Sequence, residues 1–365
     1  MSSDKLMSTP RSVDIAITGR CNLRCQYCFY ADEMAARSDL STEQWLAFFD
    51  QLGEMKVMDV CLTGGEVFTR RDLFALIDGI VANHMRYSML TNGTLITEKT
   101  LAQFEQGKRR QRLDSIQVSI DGSTAAVHNL SRPASFERAV RGLLLLKEAG
   151  YPVTVRVTIN RHNLYDLENI AHFLLEEIGL SSFTTNDAMP IGAGCQNAAD
   201  VSLSPREQLE TMQIVSRLLK KYPGQMQAQA GPQSNIEMHA EMEHARATGE
   251  KTTRWQMGYL SACGCTFSSI TVMQDGAIVP CIMLPGVGLG NLLIDSLVGI
   301  WIGHPVLQAL RERRTIPMQW VQGCEACEWV EYCNGGCPGL AHQLTGEFNH
   351  ANPADCYRSF LKVLG

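Results

Sequence analysis

Val13-Asp14-Ile15-Ala16-Ile17-Thr18-Gly19-Arg20-Cys21-Asn22-Leu23-Arg24-Cys25-Gln26-Tyr27-Cys28 is an apolar run that stops abruptly and releases three cysteines within eight residues. The run reads as a strand. Further β-rich runs follow at helix-length intervals, at Val57 to Thr63, Arg86 to Leu90, Ser115 to Ile120, Val153 to Ile159 and Ser182 to Thr185. Between them lie amphipathic segments. Ser41-Thr42-Glu43-Gln44 is a capping box, and Trp45, Phe48 and Leu52 recur behind it at helical spacing. Helices are expected at Arg71 to Asn83, Glu98 to Gln106, Phe136 to Ala149, Leu164 to Ile178 and Pro205 to Lys221. Six strand-helix units in succession imply parallel strands joined by right-handed crossovers. The expected fold class is therefore α/β, a barrel or part of one, taken as a partial (β/α)6 TIM-like barrel over residues 1–224. In such folds chemistry sits at the C-terminal ends of strands, which is where Cys21 to Cys28, Gly64 to Glu66, Asn92 and Asp121 fall.

Residues 225–260 break the alternation and turn polar, which reads as a linker with one solvated helix. Over 261–365 the chain tightens into short strands and glycines, with one helix expected around Ser296 to Arg311, and cysteines become dense. A loop-rich domain of that size needs staples such as metal centres. The 365 residues with 45% hydrophobic content suffice for one large domain and a smaller one. Met1 to Ser12 lack the apolar run of a secretory signal, so a cytoplasmic enzyme is expected. A net charge of -6 offers no general reason to bind nucleic acid or an anionic membrane, leaving peptides or small molecules as substrates. Thirteen cysteines, an odd count in a large unsecreted chain, favour thiolate ligation over disulfides.

Three thiolates so close together can wrap one face of an iron–sulfur cluster and leave one iron without a protein ligand. A closed structural zinc site wants four ligands, usually in two pairs, and no partner His or Cys lies nearby in sequence. With Tyr27 before the third cysteine and Phe29-Tyr30 after it, the motif resembles that of the radical S-adenosylmethionine (SAM) superfamily. Thr63-Gly64-Gly65-Glu66 after the second strand looks like the family's segment that binds the SAM amino group. Thr91-Asn92-Gly93-Thr94 follows the third strand and Ser119-Ile120-Asp121-Gly122 ends the fourth. Singly, the first two are ordinary turns; their order at successive strand ends carries the resemblance. It implies that SAM chelates the iron left open by Cys21, Cys25 and Cys28. Gly64 and Gly65 would let the backbone approach the methionyl ammonium and Glu66 would accept from it. Ser119 would bond the carboxylate or ribose, Tyr27 would pack on the adenine, and Asn92 counts among the cofactor contacts. Arg132, or second Arg141, would pair with the carboxylate. Val67-Phe68 depart from the Pro and aliphatic residue usual in the family.

Cys265-x10-Gly276-x4-Cys281, Cys324-x2-Cys327-x5-Cys333-x3-Cys337 and Cys356 resemble the seven-cysteine pattern of the SPASM domain. The resemblance implies two auxiliary four-iron four-sulfur clusters, hence three in all. One would use Cys265, Cys281 and Cys337, and the other Cys324, Cys327, Cys333 and Cys356. Cys263, two residues before Cys265, is the candidate to complete the first set, and Gly276 permits the hairpin that joins Cys265 to Cys281. A zinc-ribbon-like module of Cys324, Cys327, Cys333 and Cys337 is the alternative from spacing alone. Cys61, in an apolar strand, and Cys195 are expected to be non-ligands. His239 and His244 are five apart and do not form a zinc-binding helical pair. Gly286 to Gly290 lacks the strand-to-helix context of a phosphate loop.

Family chemistry implies that an electron, from a donor such as flavodoxin or ferredoxin, cleaves SAM to methionine and a 5'-deoxyadenosyl radical that takes a hydrogen atom from substrate. The auxiliary clusters would accept an electron or anchor the substrate. SPASM enzymes most often crosslink side chains of ribosomally made precursor peptides, and this chain resembles that group, including the SynChlorMet maturases. A tetrapyrrole or heme side-chain modifier is the alternative. Sulfatase maturation is disfavoured, because Ile282 stands where those enzymes carry Asp after the cysteine. With about a dozen residues before the first strand, leader binding would fall to a separate protein or to another surface. A zinc-dependent binding protein would not explain Gly64-Gly65-Glu66 and Ser119 at strand ends. A non-catalytic scaffold would be expected to have lost some of Cys21, Cys25 and Cys28.

Overall fold

β-branched and aromatic residues at alternate positions form β1 (Ser12–Thr18), β2 (Asp59–Gly64), β3 (Arg86–Thr91), β4 (Leu113–Ser119), β5 (Val153–Ile159) and β6 (Phe183–Asp187). These six pair in chain order, every one parallel. The structure, a computed structural model, describes residues 6–228, 231–252 and 254–364. The first five residues of the expected signal-free stretch, Met1 to Lys5, lie outside the described residues, as do Gln229, Ala230 and Thr253 of the expected linker.

The pleat sends alternate side chains to opposite faces. Val13, Ile15, Val60, Leu62, Tyr87, Met89, Ile116, Val118, Val155 and Val157 enter the main core, where the helices cover them. Their neighbours Asp14, Cys61, Ser88, Gln117, Arg156 and Thr184 are half-buried on the other face. That face is concave: Arg156 on β5 acts on the Cys61 thiol of β2, although three strand spacings on a flat sheet would hold them about 14 Å apart. The result is an open α/β sheet curled into part of a barrel.

Helices form where expected. Ser41 Oγ accepts from the Gln44 N–H at 3.3 Å and Gln44 Oε1 from the Ser41 N–H at 2.9 Å, which starts helix Thr42–Glu54. Trp45, Phe48, Phe49 and Leu52 are its buried stripe. Pro205–Lys221 has the same reciprocal cap from Ser204 and Glu207. The helix expected around Ser296 to Arg311 is two, Leu297–Gly303 and Pro305–Glu312. Pro305 lacks the N–H to continue the first and instead opens the second.

The sheet also runs further than six strands. β7 (Met226–Ala228) pairs parallel with β6, and β8 (Ser269–Val272) pairs parallel with the opposite side of β1. β9 (Ala277–Val279) and β10 (Gly290–Asn291) add antiparallel strands beyond β8. Strands this short carry no readable period. Within the expected linker, helix Pro232–Thr248 is not a solvated helix. It buries Met238, His239, Met242 and Ala245, and the two methionines pack with Met257 and Trp329. Polar residues around that narrow stripe hide it in the sequence.

β2 ends in a turn that docks on the chain leaving β1. The Gly65 N–H donates to Thr18 O at 2.8 Å and the Glu66 N–H to Arg20 O at 2.7 Å. A Cβ on Gly65 would lie 2.2 Å from Arg20 O, and Gly64, at φ +122, would place one 2.4 Å from Thr18 O. Gly65→Ala is therefore expected to destabilise the fold by about 2–3 kcal/mol. Gly286→Ala, with nothing within 4 Å of its Cβ and a φ outside the left-handed region, should cost no more than about 1 kcal/mol. Urea midpoints of the two variants give the comparison.

Candidate functional site

The three-cysteine loop leaves β1 and turns at once, with Cys28 N–H donating to Cys25 O at 3.2 Å. Gln26 N–H is tied to Ser131 O at 3.0 Å, and Cys28 O accepts from Ala193 N–H at 3.0 Å. Burial pushes all three thiols up, Cys28 to about 11. At Cys25 the Arg132 guanidinium opposes that shift, its Nη1 lying 3.7 Å from the sulfur. Cys21 and Cys25 act on one another, as do Cys25 and Cys28. Thiols in such a setting ionise when iron binds them.

One flank of the loop is held through Glu66. Its carboxylate is 1% exposed, and burial pushes its pKa up against the pull of its hydrogen bonds. Oε1 accepts from Thr91 Oγ1 at 2.7 Å and Phe68 N at 3.2 Å, and Oε2 from Asn92 N at 2.7 Å. A carboxylate has about four acceptor directions, so one is left for a further donor. Asn92 Nδ2 then donates to Asn22 Oδ1 at 2.9 Å, and Asn22 Nδ2 to Thr94 Oγ1 at 2.8 Å, which fastens the cysteine loop to the end of β3. The two glycines serve that docking, a role their sequence context did not reveal. Val67 and Phe68 sit in a short helical turn that keeps Glu66 in place.

The other flank is organised by Asp121, fully buried just beyond β4. Its Oδ1 accepts from Thr158 N at 2.7 Å, and its Oδ2 from Arg132 Nε at 2.5 Å and from the Tyr27 hydroxyl. The Tyr27 ring packs against Ala188 and Val201 and faces Arg132 at 5.3 Å, so its contacts are with the protein. His128 is neutral, since burial lowers its pKa to about 4. Its Nδ1 accepts from Asp121 N at 3.1 Å, which leaves Nε2–H to donate to Ser135 Oγ at 3.0 Å. Arg132 thus stands between Asp121 and Cys25, whereas Arg141 forms no hydrogen bond or ion pair with the loop among the described residues. The Ser119 hydroxyl, on the concave face, makes no hydrogen bond among the described residues. Sequence reading placed Asp121 at a strand end but could not reveal its partners, which are up to 94 residues away.

Past residue 260, mutual electrostatic influence sorts eight cysteines into two groups of four. Cys265 responds to Cys263, Cys281 and Cys337. Cys333 responds to Cys324, Cys327 and Cys356. The Cys265 thiol donates to Cys263 Sγ at 3.1 Å, which lowers the Cys263 pKa. Hairpin β8–β9, with Gly276 at φ +84 in its turn, brings Cys265 and Cys281 to the same end. Fully buried Arg313 lies beside the first group, acting on Cys337 and Cys263. It donates to Ser261 O, to Phe348 O at 2.7 Å and to His350 O at 2.7 Å. The second group lines a mainly apolar cavity with Met238, Met242 and Trp329. Among the described residues no three His, Cys, Asp or Glu side chains converge as ligands of a single ion would. Thiolates of a four-iron cluster instead stand around a cage. Cys61 faces the concave surface rather than the core, and Cys195 is exposed.

The sequence signature of the radical SAM superfamily matches residues 15–174, and that of an iron–sulfur cluster-binding domain, SPASM, matches 263–328. An AdoMet-dependent heme synthase of Methanosarcina barkeri is 26% identical over 97% of this chain and 98% of its own. A PqqA peptide cyclase of Granulibacter bethesdensis is 28% identical over 94% of this chain and 87% of its own. The same fold occurs in Streptococcus suis SuiB bound to the precursor peptide SuiA, at TM-score 0.73 and 15% identity, covering 97% of this chain and 77% of that one. It occurs again in anSMEcpe with bound AdoMet, at TM-score 0.68 and 16% identity over 96% of each chain. With three cysteines at the end of β1 and two further sets of four, the chain belongs to the radical SAM superfamily of enzymes and carries a SPASM domain.

Proposed function

We propose that this enzyme oxidatively modifies side chains of a ribosomally made precursor peptide, most simply by crosslinking them. SAM and iron–sulfur clusters are the cofactors of its family; three four-iron clusters are the number this reading assigns. Cys21, Cys25 and Cys28 would hold the first. Cys263, Cys265, Cys281 and Cys337 would hold the second, and Cys324, Cys327, Cys333 and Cys356 the third. The observation that carries the reading is this division, one set of three beside the concave face and two complete sets of four. Residues 1–224 would form the core and 261–365 the cluster domain, joined by 225–260.

When bound beside the first cluster and reduced, SAM supplies the hydrogen-abstracting radical. The chain's own part is to position and to shield. Arg132, fixed by Asp121 through Nε and by Cys25 through Nη1, offers its Nη2 to a carboxylate. Ser119 has an uncommitted hydroxyl, and Glu66 one uncommitted acceptor direction for an ammonium; Gly64, Gly65 and Asn92 keep that edge of the site closed. Tyr27 fixes the loop through Asp121. Substrate enters the half-buried concave face. Its relative named a PqqA peptide cyclase, aligned along 94% of the chain, supports a peptide. The heme synthase relatives, aligned along 97% and 94%, favour a tetrapyrrole as the second reading. No helix of the described residues is long and apolar enough to cross a membrane; a cytoplasmic enzyme with a flavodoxin- or ferredoxin-type donor fits this reading.

Anaerobically reconstituted enzyme should bind roughly twelve irons with equal sulfide, three clusters of four, and release 5'-deoxyadenosine on reduction with SAM. Cys28→Ala should abolish that product and lose about four irons; zinc without labile sulfide would sink the reading. Cys263→Ala should alter the paramagnetic resonance spectrum of one auxiliary cluster, while Cys195→Ala leaves all spectra unchanged; an unaltered Cys263→Ala spectrum would remove Cys263 from the ligand set. A co-expressed precursor peptide should lose two hydrogens per crosslink by mass spectrometry. An unchanged mass, with turnover of an added tetrapyrrole, would move the assignment to the second reading.

A further inference from the structure

Among the described residues, one cation on the concave face has no hydrogen-bond or ion-pair partner. Arg156 lies in mid β5 between Val155 and Val157, which are fully buried under the helices, so the pleat turns its side chain inward. Its register partners are Ser119 on β4 and Thr184 on β6. The guanidinium forms no hydrogen bond or ion pair among the described residues, and its Nε is buried and unsatisfied. Other arginines sheltered from solvent have partners: Arg132 has Asp121, Arg70 has Asp72, Arg109 has Asp78, Arg313 has three carbonyls, and Arg311, with its Nη2 unsatisfied, still donates to Thr266 O and Trp301 O. Asp14, the acid on the same face, forms no ion pair with Arg156. Two neighbours are also uncommitted: the Ser119 hydroxyl, and Asn186 Oδ1, which is buried without a donor two residues beyond Thr184.

A desolvated guanidinium without an anion is unfavourable, and removing its partner is what makes it so. Here the missing partner enters from outside. We propose that Arg156 is a specificity-determining residue that clamps a carboxylate of the substrate, its planar fork taking both oxygens. Asn186 Oδ1 accepts from a donor of the same molecule. The inference rests on the concave face being the substrate chamber and adds the chemical class of what binds there. An acidic peptide side chain and a tetrapyrrole propionate carry the same group.

The test uses reconstituted holoenzyme with SAM bound, and calorimetric titration with two matched pairs of probes. One pair is a short acetylated peptide amide containing glutamate and its glutamine counterpart; the other is a porphyrin with free propionates and its methyl ester. The charged member of one pair should bind wild type about tenfold or more tightly than its neutral match, and the pair that shows this names the source. Arg156→Gln should abolish the preference and Arg156→Lys retain part of it, with cluster absorbance and melting temperature confirming that both variants fold. No preference in either pair, or a preference that survives Arg156→Gln, overturns the proposal. So does a tenfold loss of SAM affinity in Arg156→Gln, which would assign the cation to SAM. Release of 5'-deoxyadenosine by the same wild-type preparation separates failure of the radical reading from failure of carboxylate selection.

Discussion

A carboxylate shut away from water has to be satisfied by the chain around it, and Asp121 draws that chain from three places. Thr158 comes from β5, Arg132 from the end of the helix after β4 and Tyr27 from the cysteine loop, while His128 of that same helix meets the Asp121 amide. None of these contacts is local except the last two-turn helix. Without the carboxylate, Tyr27 and Arg132 would lose their shared anchor and the loop its position over the strand ends. Glu66 obeys the same rule on the opposite flank, gathering Thr91 and Asn92 and, through Asn92, Asn22. The three cysteines thus project from a loop clamped between two buried acids. Metal ligands need such preorganisation, because a thiol on a mobile loop is held at the wrong distance most of the time.

Much of this frame was legible in the chain itself. Parallel strands are joined through helices, so Val13 to Ile17 and Val153 to Ile159 read as β-rich runs at helix-length spacing, and chemistry at strand ends followed. The reciprocal cap at Ser41 was equally readable, because a capping box is written within four residues. What the sequence concealed lies in contacts between distant residues. Gly65 looked like room for a ligand, yet the room is filled by Arg20 O. Tyr27 looked available to an aromatic base, yet its hydroxyl and ring are engaged by Asp121 and Arg132. Cys61 lies in an apolar strand, but the pleat turns it away from Val60 and Leu62, onto the face it shares with Arg156. Strands of two or three residues, β7 and β10, have no pattern to read.

The grouping of the later cysteines also has a physical cause. Antiparallel pairing of β8 and β9 puts Cys265, before the first, and Cys281, after the second, at the same end of a tight hairpin. Cys337 reaches that end from the start of helix Pro338–Thr345, held near it by the loops that Arg313 ties together. Cys324, Cys327 and Cys333 fold on themselves in successive turns, Cys327 N–H donating to Cys324 O at 3.0 Å, and meet Cys356 on the far side of a cavity closed by Trp329. Adjacent cysteines in sequence are therefore separated because Cys337 follows a turn of two glycines, Gly335 and Gly336, both at positive φ, that reverses the chain away from Cys333.

β1 relates the thiol sets to one another. Cys21 leaves from its C-terminal end. β8 runs parallel beside it, with Ser12 opposite Ser269, so Cys265 and Cys281 lie toward its N-terminal end. Seven residues of strand set those ends on the order of 20 Å apart. Asp14, one-third of the way along β1, is close enough to act on Cys281 while its side chain shares the concave face with Cys61, Ser88 and Arg156. The face is consequently bounded at its two ends by the loop of three cysteines and by a set of four, and it is polar between them. A molecule held at Arg156 in β5 would lie across the curled sheet from β1, exposed to both ends at once. The sheet therefore does more than support two separate sites: through the β1–β8 pair it fixes both sets of thiols relative to one concave face.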